Sequence, residues 1–211
     1  MTDKRAVFNA LPPDVYCFAD STELCQKLLE AGARVIQLRA KTMNDEDFTI
    51  LAHTMQKQVA EFPDAIFIVN DRVNVGLAID ADGIHIGQDD EAYDYVMKRV
   101  PETMIVGVSV VNVEQAIAAE QSGATYLGAG SVYPTSTKSD VEVIGVNMLR
   151  QIVEAVSIPV VAIGGISLEN VDAIFRTGVR HAAVISAINN ARSIKRRLSR
   201  FRKHIAATLA N

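Results

Sequence analysis

From Val15 onward, short apolar runs alternate with longer segments whose apolar residues recur at helical spacing. Val15–Phe18, Arg34–Leu38, Ala65–Val69 and Gly83–Ile86 read as four strands, and Met104–Val108, Tyr126–Ala129, Pro159–Ile163 and His181–Ile185 as four more. Between the first two, Thr22–Ala31 places Leu24, Leu28 and Leu29 on a helical face and stops at Gly32, a residue suited to the left-handed position that ends a helix. A helix capped by Asn44 or Asp45 is expected to run to Phe62, where Pro63 stops it. Further helices are expected over Val73–Ile79, Glu91–Val100, Val113–Ser122, about Val146 to Val156, and Leu168–Thr177. A basic amphipathic helix from Ser193 to about Leu209 closes the chain.

Strict strand-helix alternation predicts a parallel sheet. Strands buried on both faces read as continuous apolar runs, as these do. Eight such units with no linker between them predict an α/β chain forming a single (β/α)8 TIM barrel, its elements spanning about residues 15–209. An open doubly wound sheet usually places a glycine-rich turn after its first strand, and here that turn is Ala19-Asp20-Ser21-Thr22.

Composition narrows the class without changing the fold. The 211 residues are 49% apolar and 22% charged, an ordinary globular balance sized for one domain with a large core. A formal net charge of −4 argues against a nucleic-acid or anionic-membrane partner. The two cysteines, Cys17 and Cys25, form no framework, and Cys17 reads as a small core residue. No signal peptide or membrane-length apolar run is visible, so a cytoplasmic protein is expected; whether it forms a homo-oligomer is left open.

Polar residues gather where the strands end. Gln37, Arg39 and Lys41 follow the second strand, and Asn70 and Asp71 the third. His85, Gly87, Gln88 and Asp90 lie in or after the fourth, and Ser109 ends the fifth. After the sixth comes a long loop with Thr135, Thr137 and Lys138, while Gly164-Gly165 and Ile185-Ser186 follow the last two strands. The C-terminal ends of barrel strands form the active face, and no comparable polar set is visible at the other end. Arg39, Lys41 and Lys138 with neighbouring hydroxyl and amide donors suit phosphates. Asp71 and Asp90 suit Mg2+ shared with a diphosphate, and each could instead cap the following helix. Ser109 has no evident histidine partner, and His85 reads as a satisfied core histidine. The basic run from Lys195 to Lys203 reads as a solvated helix face.

Taken in order, Gln37-Leu-Arg39-Ala-Lys41, Val69-Asn70-Asp71-Arg72, Gly83-Ile-His85-Ile-Gly87-Gln88-Asp-Asp90, Gly107-Val-Ser109, Pro134-Thr135-Ser-Thr137-Lys138, Gly164-Gly165 and Val184-Ile185-Ser186 resemble the thiamine phosphate synthase family, which includes a thiazole tautomerase subgroup. The resemblance covers about residues 15–190. It implies a Mg2+-dependent transferase that joins a hydroxymethylpyrimidine diphosphate to a thiazole or carboxythiazole phosphate and releases diphosphate. By that resemblance Gln37, Arg39, Lys41, Asn70, Ser109 and Lys138 hold the pyrimidine diphosphate, with Ser109 and Lys138 in catalytic roles. Asp71 and Asp90 bind the metal, and Thr135, Thr137, Gly165, Ile185 and Ser186 hold the thiazole phosphate. The chain departs from the family pattern at Ala40, usually acidic, at Val111-Asn112, often His-Thr, and at Ser131, often Pro. The alternatives are an isomerase acting on the thiazole phosphate alone and a non-catalytic phosphate-binding relative.

Overall fold

The computed structural model describes residues 3–88, 93–135 and 142–210. Eight parallel strands, each hydrogen-bonded to the next, close into a barrel in the order β1 to β8. They are β1 Asp14–Ala19, β2 Val35–Leu38, β3 Ile66–Asn70, β4 Gly83–Ile86, β5 Ile105–Val110, β6 Tyr126–Ala129, β7 Val160–Ile163 and β8 His181–Val184. The seam closes through β1 and β8, with Asp14 opposite His181 and Cys17 opposite Val184. The expected barrel is therefore present, with each strand within about two residues of its reading at either end.

Helices α2 Thr22–Glu30, α3 Asp45–Ala60, α4 Val73–Ala78, α5 Tyr93–Met97, α6 Val113–Gln121, α7 Gly145–Ala155 and α8 Val171–Phe175 follow β1 to β7 in turn. Helices α2, α3 and α6 start at short polar residues whose side chains cap them. Ser21 accepts from the Leu24 N–H at 3.3 Å, and Asn44 from the Asp47 N–H at 2.9 Å. The last helix, α10 Ile194–Leu209, buries Leu198, Phe201 and Ile205 and leaves most of its basic residues outward.

Two helices depart from the sequence reading. Helix α1, Lys4–Ala10, precedes the barrel and is capped by Asp3, which accepts from the Ala6 N–H. Its one buried residue, Phe8, enters the barrel floor and packs 5.0 Å from the Tyr126 ring and 5.6 Å from His181. One apolar anchor in seven residues leaves no periodic signal to read. Helix α9, Ser186–Asn189, is a single turn directly after β8.

The apolar residues divide into two layers. One lies between sheet and helices and includes Cys17, Ile36, Phe67 and Leu127. The other fills the barrel interior and includes Tyr16, Phe18, Ile68, Ile105, Tyr126 and Val161. Because side chains alternate across a strand, Gln37, Asn70, His85 and Ser109 share the inward parity of their strands. The strand parity thus aims the polar residues at the barrel axis.

The far end of the barrel is not devoid of polar chemistry, contrary to expectation. Asp14, at the start of β1, is 3% exposed and accepts from Arg202 of α10 at 2.8, 2.9 and 3.2 Å. Arg202 also donates to the Gly32 carbonyl at 2.7 Å, so one member of the basic run ties α10 to β1 and α2. Asp82 accepts from the Phe67 N–H at 2.8 Å and lies 3.9 Å from Lys4. These groups fasten outer elements to the barrel floor.

Candidate active site

At the C-terminal ends of the strands lies a cavity of about 420 Å3. Its volume falls in the range of small-molecule sites. The lining includes Gln37, Arg39 and Lys41 after β2, Asn70 and Asp71 after β3, and Ser109 on β5. It is lined as well by Thr135 after β6, Gly165 after β7, and Ile185 and Ser186 after β8. Every site residue named from the sequence that lies within the described residues therefore meets in one cavity. Asp90, Thr137 and Lys138 lie outside the described residues.

The geometry of the β2 and β3 side is electrostatic. Lys41 Nζ lies 3.3 Å from Asp71 Oδ2, with both side chains partly open to solvent. Asp71 adopts a left-handed φ of 59°, a costly conformation for a residue with a Cβ. Its N–H donates to the His85 carbonyl at 2.8 Å, extending the β3–β4 ladder by one residue. The cap of α4 is Arg72, with no side-chain cap bond, so Asp71 is not spent as the helix cap. Arg72 points away: its guanidinium stacks 4.0 Å over Phe48 and lies 3.3 Å from Asp45.

The other side is built by close backbone approach. The Val132 N–H donates to the Ile163 carbonyl at 2.8 Å and the Tyr133 N–H to the Gly164 carbonyl at 3.2 Å. This clamps the β6 loop onto the end of β7. Gly165 has a φ of 61°, and a Cβ there would sit 2.5 Å from the Pro134 carbonyl oxygen. Only glycine allows that approach. Ser131 is buried, and its hydroxyl donates to the Tyr133 carbonyl at 2.7 Å. A short extra helix after β8, here α9, together with the loops after strands seven and eight, is a recurrent phosphate site in barrels.

Beneath the mouth runs a hydrogen-bonded chain. Gln37 Nε2 donates to Tyr16 Oη at 2.9 Å, and Tyr16 Oη lies 2.9 Å from Tyr126 Oη. Tyr126 Oη lies 2.8 Å from His85 Nδ1, and His85 Nε2 lies 3.0 Å from Ser109 Oγ. Burial holds the Tyr16 and Tyr126 phenols well above the ordinary phenol range, so both stay protonated. Ser109 thus has the histidine partner that sequence reading failed to find. His85 is a bonded histidine, as read, and it also lines the cavity. Tyr16 and Tyr126 were missed altogether. Strand parity was the available signal, since both share the inward face with the site residues.

The three departures from the family pattern lie close by. Ala40 packs partly buried against the outer core. Val111 lines the cavity, and its N–H donates to Gln115 Oε1 at 2.9 Å. Asn112 caps α6 by accepting from the Gln115 N–H at 2.9 Å. Cys17 and Cys25 are buried, free thiols, each pushed up to about 12 by desolvation, and neither lines the cavity. Among the described residues, no helix is long and apolar enough to cross a membrane.

Comparison with known proteins bears on the fold and the family. A thiamine-phosphate synthase from Pyrococcus furiosus is 42% identical over 209 residues, 99% of this chain and 94% of the relative. One from Pyrococcus abyssi is 45% identical over 184 residues, 87% of this chain and 88% of the relative. The solved structure of a thiamine phosphate pyrophosphorylase from Pyrococcus furiosus superposes with a TM-score of 0.85 at 40% identity, covering 93% of this chain and 96% of that one. A 3-hexulose-6-phosphate synthase, with a TM-score of 0.68 at 17% identity over 92% of this chain and all of that one, shares the fold. The profile described as thiamine monophosphate synthase matches residues 12–188, and the chain belongs to that family.

Proposed function

We propose that the barrel mouth joins a hydroxymethylpyrimidine diphosphate to a thiazole phosphate, giving thiamine phosphate and diphosphate. One observation carries this reading. A single cavity gathers Arg39, Lys41, Asn70 and Ser109 from the ends of β2, β3 and β5, and Thr135, Gly165 and Ser186 from the segments after β6, β7 and β8. The first set supplies cations and neutral donors for a diphosphate, and the second supplies a hydroxyl pair and glycine backbone for a monophosphate. Two phosphorylated substrates then meet with their reacting ends between the sets.

The chemistry needs positioning and charge stabilisation. The bond between the pyrimidine methylene and the bridging phosphate oxygen breaks, and its electrons leave with the diphosphate. The electron-rich aminopyrimidine supports the methylene cation, and the thiazole nitrogen lone pair forms the new C–N bond. Arg39 and Lys41 stabilise charge growing on the departing group, as does Lys138 in the role its motif implies. Holding the two substrates together makes the bond-forming step effectively intramolecular.

Asp71 fits a magnesium site: its carboxylate lines the cavity, is partly open to solvent and is not taken up in capping α4. One or two carboxylates suffice for Mg2+, which takes its remaining ligands from substrate oxygens and water. Asp71 would hold it together with Asp90. When bound, Mg2+ draws charge from the diphosphate oxygens.

The test is direct. The purified chain is incubated with both substrates and Mg2+, and equal amounts of thiamine phosphate and diphosphate are expected. Binding of the thiazole phosphate with no coupling would contradict the proposal. An isomerase acting on the thiazole phosphate alone would leave Lys41, Asn70 and Asp71 without a ligand.

A further inference from the structure

The hydrogen-bonded chain under the cavity has a direction. Tyr16 and Tyr126 are buried neutral phenols, each with one proton to give. Gln37 Nε2 donates to Tyr16 Oη, so the Tyr16 proton is available to Tyr126 Oη. Tyr126, already accepting, gives its own proton to His85 Nδ1. With Nδ1 accepting, the neutral imidazole carries its proton on Nε2 and donates to Ser109 Oγ. Ser109 then accepts from below, and its hydroxyl proton is left to point into the cavity. Run the other way, with the Gln37 amide turned, Ser109 would give its proton to His85 and present the cavity with lone pairs alone.

The chain is built with little slack. A Cβ at Gly107 of β5 would fall 2.1 Å from Tyr126 Cζ, and one at Gly128 of β6 would fall 2.9 Å from His85 Cε1. Both glycines clear room for the rings that carry the chain. Phe8 packs against the same Tyr126 ring from below.

We infer that His85, Tyr126 and Tyr16 are positioning residues that fix Ser109 as a hydrogen-bond donor toward the anionic group of the substrate. The inference deepens the proposed function and rests on it for the identity of that group. It places no proton transfer on His85. An oriented O–H stabilises growing oxygen charge without reorganising during the reaction.

Two measurements test it. The first uses wild-type protein without substrate, 15N-labelled at histidine and studied by NMR at about pH 8, above the ordinary imidazole range. His85, assigned by the signals lost in His85→Gln, should show the Nε2–H tautomer. An Nδ1–H tautomer would overturn the inference whatever the enzyme makes. The second uses Tyr126→Phe, which removes the donor and keeps the ring. The tautomer should become mixed, and kcat for thiamine phosphate should fall about 10- to 100-fold, the usual loss on removing a supporting hydrogen-bond partner. KM for the thiazole phosphate should hold. A folded Tyr126→Phe with unchanged tautomer and unchanged kcat would also overturn it. If that variant fails to fold, the wild-type tautomer still decides. A wild-type chain that couples nothing would refute the proposed function and leave the tautomer result standing on its own.

Discussion

His181 gives the protein a specific acid sensitivity. It sits at the start of β8, 1% exposed, and neither ring nitrogen has a hydrogen-bond partner of good geometry among the described residues. Desolvation pulls its pKa from the ordinary 6.5 down to about 4; the Asp14 carboxylate and backbone oppose the shift, and Arg180 and Arg34 add to it. A charged imidazolium is therefore excluded from the folded floor of the barrel. Between pH 6.5 and pH 4 the unfolded chain binds a proton that the folded chain does not. The stabilisation is complete above the unfolded value and is lost as pH falls toward the folded one. For these two values the linkage relation gives a loss of about 2 kcal/mol between roughly pH 7.5 and pH 5, with a ceiling of about 3 kcal/mol below pH 4. Asp82, whose pKa burial raises, changes stability in the opposite sense at the acid end. The variant His181→Leu isolates the histidine contribution. Urea unfolding across that pH range should show the wild type losing about 2 kcal/mol more than His181→Leu by about pH 5. Parallel pH profiles for the two proteins would refute the reasoning and mean that His181 is protonated in the fold or solvated by water.

Three further outcomes are expected. Arg202→Met strands the buried Asp14 carboxylate, and should cost about 3–5 kcal/mol in urea unfolding, with Asp14→Asn costing less because it leaves no buried charge. Thr135→Ala should raise KM for the thiazole phosphate, whereas Lys138→Ala should lower kcat about 100- to 1,000-fold with thiazole binding little changed; steady-state kinetics that reverse these effects would mean the half-sites are assigned backwards. Calorimetry should show Mg2+ binding more tightly when diphosphate is present, and Asp71→Asn should remove most of that gain.

Much of the architecture was legible from the chain because helix stops and apolar runs coincide. Gly32 and Gly123, both with positive φ, follow α2 and α6 where the glycine signal placed them, and Pro63 follows the end of α3. Helix α1 was not legible, since a single anchor, Phe8, carries its burial. The site residues were legible one strand end at a time, from their residue types and order. Their connection was not. The strands are buried on both faces, so hydrophobicity does not alternate along them, and the inward parity shared by Tyr16, Gln37, His85, Ser109 and Tyr126 is hidden from a reading based on apolar runs. The pairing of His85 with Ser109 requires the β4 and β5 registers together, which only the closed barrel supplies.

The most direct test of two half-sites in one cavity is a crystal structure of the chain grown with Mg2+, diphosphate and the thiazole phosphate. The account predicts diphosphate against Arg39, Lys41 and Asn70 with the metal on Asp71, and the thiazole phosphate against Thr135, Gly165 and Ser186, both present at once. Diphosphate on the Gly165 side, or two ligands that exclude each other from the cavity, would contradict it.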